Sequence, residues 1–118
     1  MAARYARYRL LVSVLKKHCP PAYPISVKRV QLSPKLEGRC WKDGKLFRIE
    51  IANRLDEARA MDVLIHEWAH ARAWNHMLDT AESDEVFNKL AHDAAWGVAY
   101  AEVYCVYEHK FVPDVARI

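Results

Sequence analysis

His66-Glu67-Trp68-Ala69-His70 constrains this chain more than any other segment. On a helix, side chains four residues apart lie one turn apart on the same face. Two imidazoles at that spacing can grip one zinc ion, while the Glu beside them polarises a water at the metal. A fold that uses this segment must set it on a helix and bring a third ligand to it from elsewhere. The pattern fixes only three residues, so the rest of the chain has to supply the context.

The 118 residues suffice for one domain, 1–118, with a real core. Apolar residues make up 53% and charged residues 28%, which excludes a disordered chain. Cys19, Cys40 and Cys105 form an odd, scattered set with no CxxC spacing. They offer neither a disulfide framework nor a thiolate zinc site, and they point to a reducing compartment. The apolar stretch Leu10 to Leu15 is too short for a signal core, and no run approaches membrane-spanning length. The expectation is a soluble, cytoplasmic protein.

The net charge of +3 conceals an asymmetry. Residues 1–54 carry 13 Lys/Arg against 3 Asp/Glu, a balance of +10; residues 55–118 carry 5 against 12, a balance of −7. One reading is attraction of the basic half to DNA. The other is mutual neutralisation of the halves across a shared interface.

Along the chain, residues 3–18 read as an amphipathic helix with Tyr8, Leu11, Val12 and Leu15 on one stripe. Pro20, Pro21 and Pro24 then force an extended connector. Ile25 to Leu32 reads as a strand, and Arg39 to Ile51 as a hairpin turning at Asp43-Gly44. Asn53 is placed to cap a helix running to Met77 or Leu78. Ser83 is placed to cap a second long helix reaching about Glu108, with Pro113 ending regular structure. The fold class is α+β: an N-terminal helix, a small antiparallel three-stranded sheet and two long C-terminal helices.

Three proposals compete for the third ligand. If the long helices form a hairpin centred near residue 81, His70 and His92 are each 11 residues from the turn and lie level with one another. His66 then faces Trp96. The second proposal is His76, which completes the metzincin pattern HExxHxxGxxH except that Ala73 replaces its glycine. Alanine favours continuing the helix, which turns His76 about 120° away from His70. A Met-turn is also lacking. The third is a glutamate, but Glu82 and Glu85 lie too near the turn and Glu102 too far along, opposite about residue 60. His92 ranks first. Asp62 shares the His66 face, and Tyr100 and Tyr104 follow His92; solvation and packing are their plainer roles. Trp68, Trp74 and Trp96 read as core or as walls around the metal.

His66-Glu67-Trp68-Ala69-His70 with His92-Asp93-Ala94-Ala95-Trp96 resembles the SprT-like zinc metallopeptidases, most of all their small phage-encoded members. The family pairs HExxH with a downstream His-Gly-x-x-aromatic segment whose His is the third zinc ligand. Asp93 stands here in place of the family's glycine, and the cysteine-rich zinc ribbon of many relatives is absent. The resemblance covers about residues 40–105. It implies a minimal zincin-like core in the host cytoplasm, holding Zn2+ on His66, His70 and His92. Glu67 is then the general base for hydrolysis of a protein or peptide substrate. It also implies a substrate lying along an edge strand, for which Leu46 to Ile51 is the candidate. The rival readings are a DNA-associated binding module with a structural or vestigial zinc, and a peptidase of toxin or antirestriction type with one dedicated target.

Overall fold

The computed structural model describes residues 5–116. Its order is α1 (Ala6–His18), β1 (Ile25–Val30), β2 (Gly38–Asp43), β3 (Leu46–Ala52), α2 (Glu57–Arg72), α3 (His76–Asp79), α4 (Asp84–Ala91) and α5 (Ala94–Val106). A π-helical turn (Tyr107–Phe111) and α6 (Val112–Val115) follow. The architecture is α+β. No helix among the described residues is long and apolar enough to cross a membrane.

In α1, Tyr8, Leu11, Val14 and Leu15 are buried, and Val12 packs against the core partly buried, so Val14 joins the expected stripe. The Glu57 carboxylate accepts from the backbone amides of Arg7 and Tyr8, at 3.1 and 3.3 Å. An acid on α2 thereby satisfies orphan donors at the start of α1. The first two residues of the expected 3–18 helix lie outside the described residues.

The sheet order is β1-β3-β2. β2 and β3 pair antiparallel, joined through Gly44 at φ 61°, a turn geometry that glycine adopts freely. β1 pairs with β3 in parallel, Ile25 opposite Phe47 and Val30 opposite Ala52. The sheet is therefore mixed, not wholly antiparallel. The reason is topological: β1 skips its neighbour in sequence and pairs with the strand two reversals later, which runs in its own direction. Arg54 ties down the connector, its guanidinium donating to the carbonyls of Ser33, Pro34 and Leu36 at 3.0–3.2 Å.

This order corrects the expected edge strand. Leu46 to Ile51 belongs to β3, the middle strand, which is bonded on both sides. The free edge beside the helices is β2. In β3, Phe47, Ile49 and Ile51 face the core beneath α2, and Arg48 and Glu50 alternate outward.

α2 starts later than expected. Asp56 is its cap, accepting from the Arg59 amide at 2.8 Å, while the Asn53 amide still donates to Val30 of the sheet. The helix also stops early, at Arg72. Asn75, in extended conformation, caps α3 through the Met77 amide, and the Trp74 ring packs between Phe47 and Phe87. A new cap and a partly buried aromatic outweigh the helix propensity of Ala73. Leu11, Leu15, Phe47, Ile49, Ile51, Leu64, Trp68 and Val103 centre the core, joining α1, the sheet, α2 and α5.

The second long helix is broken. Ser83 caps α4 as expected, but Asp93 caps a separate α5, accepting from the Trp96 amide at 3.2 Å. Aspartate is favoured at a cap and disfavoured inside a helix, so the chain breaks at His92-Asp93. Pro113 does not end regular structure: it lies in the first turn of α6, which follows directly on the π-helical turn.

Candidate metal centre

His66 and His70 stand one turn apart on the site face of α2, with their Nε2 atoms 3.2 Å apart. Trp68, between them in sequence, points the other way and donates from Nε1 to the Cys19 carbonyl at 2.7 Å in the core. The helix is therefore buried on two faces, and only one carries the imidazoles.

His92 closes the cluster. Its ring lies 4.7 Å from that of His70 and 5.6 Å from that of His66, centroid to centroid. The ligand atoms of the three all lie within 4.8 Å of one another. His92 reaches them from the C-cap of α4, not from inside a continuous helix. Its Nδ1 donates to the Asn88 carbonyl at 2.9 Å. A carbonyl only accepts, so this bond puts the proton on Nδ1 and leaves the Nε2 lone pair for a cation. His70 is likewise hydrogen-bonded to the backbone of Ala91, which links α2 to the end of α4.

Burial pushes His70 down to about 3, and the positive forms of His66 and His92 add to the effect. His66 is lowered by burial, then by His92 and Arg59. Half-buried His66 and His70 are thereby biased toward the neutral form, in which imidazoles ligate metals. Trp96 covers the cluster, with its indole 4.9 Å from His66, 5.5 Å from His70 and 5.4 Å from His92. The expected meeting of His66 with Trp96 is thus present.

Among the described residues Glu67 is the buried charged one, 8% exposed, and burial alone raises its carboxyl to about 7. A cation in the cluster would draw that value down and hold the carboxylate ionised. Gly38 of β2 passes directly over it. A Cβ there would fall 3.3 Å from Glu67 Cγ and 2.5 Å from Val63 Cγ1. Cys40, next on the same face of β2, is raised by burial and then by the Glu67 charge, so its thiol is inert. All three cysteines are free.

Two cavities meet at His66, Glu67 and Gly38. One, of about 520 Å³, is walled by Glu37, Arg59, Asp62, Tyr100 and Tyr104. The other, of about 310 Å³, is walled by Leu36, Cys40, Trp74, Phe87 and Ala91 and opens on His70 and His92. Tyr100 and Tyr104 therefore stand on the wall of the site. Asp62 lies on the same wall, in the electrostatic reach of Arg59.

His76 does not join the cluster: it opens α3, is exposed, and lies near Asp79. Glu82 and Glu85 are exposed around the start of α4. Glu102 is not level with residue 60 but pairs with Arg72 at 3.1 Å, on the outward face of α5. Gly38, Cys40, Phe87 and Arg59 escaped the sequence reading. Only Gly38 carried a signal, because a glycine inside a strand marks a close approach of backbone to a neighbour.

Several cations of the basic half hold partners within the fold. Arg39 pairs with Glu50, Lys42 with Asp79 and Arg48 with Asp43. Arg29 donates to the Ala52 and Leu55 carbonyls. No known protein family, curated protein or solved structure matches the chain.

Proposed function

We propose that this protein is a zinc-dependent peptidase of the SprT-like kind, with His66, His70 and His92 as metal ligands and Glu67 as general base. The observation that carries this reading is the cluster of three imidazoles, drawn from α2 and the α4–α5 break, beside a buried carboxylate in an open groove. Structural zinc sites are usually closed by four protein ligands, and the cluster among the described residues has three.

Three neutral nitrogen donors suit zinc, which takes imidazole readily and favours tetrahedral sites. Bound there, the ion would act as a Lewis acid on a water and on the scissile carbonyl. Glu67 takes the proton from the attacking water and passes it to the leaving amine. Gly38 covers one side of the carboxylate, which faces the groove on the other. Trp96 shields one side of the imidazoles, so attack is confined to the groove side. The amides of β2 orient the substrate backbone, as its edge position allows.

The test compares wild type with Glu67→Gln, measuring zinc content and cleavage of a denatured protein together. The variant retains about one zinc per chain and loses hydrolysis by at least about 100-fold, the low end for a general base. Cleavage by the variant at the wild-type rate would remove Glu67 from the mechanism. Failure of the wild type to bind zinc at all would remove the metal.

A further inference from the structure

The two cavities beside Glu67 differ in chemistry, and this difference bears on what the groove holds. The Ala52 amide donates to the Glu37 carbonyl at 2.8 Å, just before β2 begins. Alternation along an antiparallel ladder then turns the amides and carbonyls of Gly38, Cys40 and Lys42 to the unpaired edge. An extended polypeptide bonding to that edge crosses the mouth of the apolar cavity, since Gly38 and Cys40 both line it.

That cavity is braced from several sides. Trp74 packs 5.9 Å from Phe47 and 5.6 Å from Phe87, and its Nε1 donates to Asp79 at 2.9 Å. Asp79 is tied in turn to Lys42 of β2 at 2.7 Å. Aromatic packing and an ion pair thus fix the wall in place before anything binds. The cavity's volume of about 310 Å³ includes the space over His66, Glu67, His70 and His92, so the part walled by Trp74, Phe87 and Ala91 is smaller and suits one side chain.

We propose that the cavity between Cys40 and Phe87 receives one bulky apolar side chain of an extended polypeptide lying along β2. The groove thereby selects leucine- or phenylalanine-like residues next to the bond placed over Glu67. This rests on the peptidase reading for the identity of the ligand as a polypeptide. It goes beyond that reading in assigning side-chain selection to Trp74, Phe87 and Ala91. The polar cavity on the other side, with Arg59 and Glu37, offers no comparable apolar seat.

The experiment uses the zinc-loaded full chain carrying Glu67→Gln, so that no probe is cut. Blocked six-residue glycine peptides with Leu, Phe, Asp or Gly at one central position are titrated while the Trp74 indole resonance is followed by NMR. Leu and Phe peptides shift that resonance and bind at least about tenfold tighter than the Gly and Asp peptides. Ala91→Phe fills the cavity and erases the preference while keeping one zinc per chain. If that variant does not fold, Phe87→Ala serves, and it shifts the preference toward a larger side chain such as Trp. Equal binding of all four peptides, no binding, or apolar binding that leaves Trp74 unmoved overturns the proposal. Wild-type protein is assayed for cleavage of the same peptides and of a denatured protein. Selective binding without any hydrolysis keeps the apolar site and removes the peptidase reading. Hydrolysis without selective binding does the reverse.

Discussion

Gly38 lies against Glu67 so closely that a single methyl group cannot be added between strand and helix. The added Cβ would meet Val63 Cγ1 at 2.5 Å and Glu67 Cγ at 3.3 Å. The Gly38→Ala change must therefore push β2 from α2 or drive Val63 off its rotamer. Overpacking of this kind costs about 1–3 kcal/mol. Urea denaturation measures the loss, and hydrolysis falls with it because β2 roofs the carboxylate. A variant as stable and as active as wild type would show that the strand does not press on the helix.

His92 and His76 are separated by their surroundings. His92 meets His66 and His70, whereas His76 is exposed on α3. Competitive titration with a zinc chelator should show His92→Ala weakening affinity by at least about 100-fold, the upper end for loss of a mere outer-shell partner. His76→Ala leaves affinity within a factor of about three. Equal losses at the two positions would end the case for His92 as a ligand.

Phe47 joins the sheet to the wall of the apolar cavity, touching Tyr23 and Trp74 while only 1% exposed. Phe47→Ala leaves a void in the core and is expected to destabilise the protein by about 3–5 kcal/mol. Equilibrium unfolding monitored by tryptophan fluorescence reads the change. A loss below about 1 kcal/mol would mean that the cavity collapses freely around the missing ring.

Asp79 makes the fold mildly acid-sensitive. The hydrogen bond from Lys42, and then that from Trp74, hold its carboxyl below the ordinary value of 3.8. A depressed carboxyl stabilises the folded state above its unfolded value, and that contribution disappears as pH falls through the folded value. Asp79→Asn should therefore melt slightly below wild type at pH 7, by at most about 1 kcal/mol for so exposed a pair. The gap should close below about pH 4, as the wild-type carboxyl begins to bind its proton. A gap that is constant from pH 7 to pH 3 would assign the effect to packing.

Much of the site was legible because its cues are local. The four-residue spacing of His66 and His70 needs nothing but a helix to align them. Counting outward from a turn near residue 81 pointed to His92, although α2 ends at Arg72, short of the expected Met77 or Leu78. The count succeeded because α3 and α4 take up the intervening chain and α5, which begins just past His92, packs along α2. Asp93 held the cue for the break: a good cap at the start of Ala94–Val106 is a poor residue for a helix interior.

The amino-acid order alone determined the helix-borne imidazole pair, the alternation that buries Phe47, Ile49 and Ile51, and the turn at Gly44. Those features depend on neighbours a few residues away, where spacing maps directly onto direction in space. Tertiary structure decided that β1 pairs with β3, that β2 is the open edge, and that Trp74 and Phe87 wall a cavity beside Glu67. These outcomes depend on which distant surfaces bury each other best, and no periodicity within one segment encodes that choice.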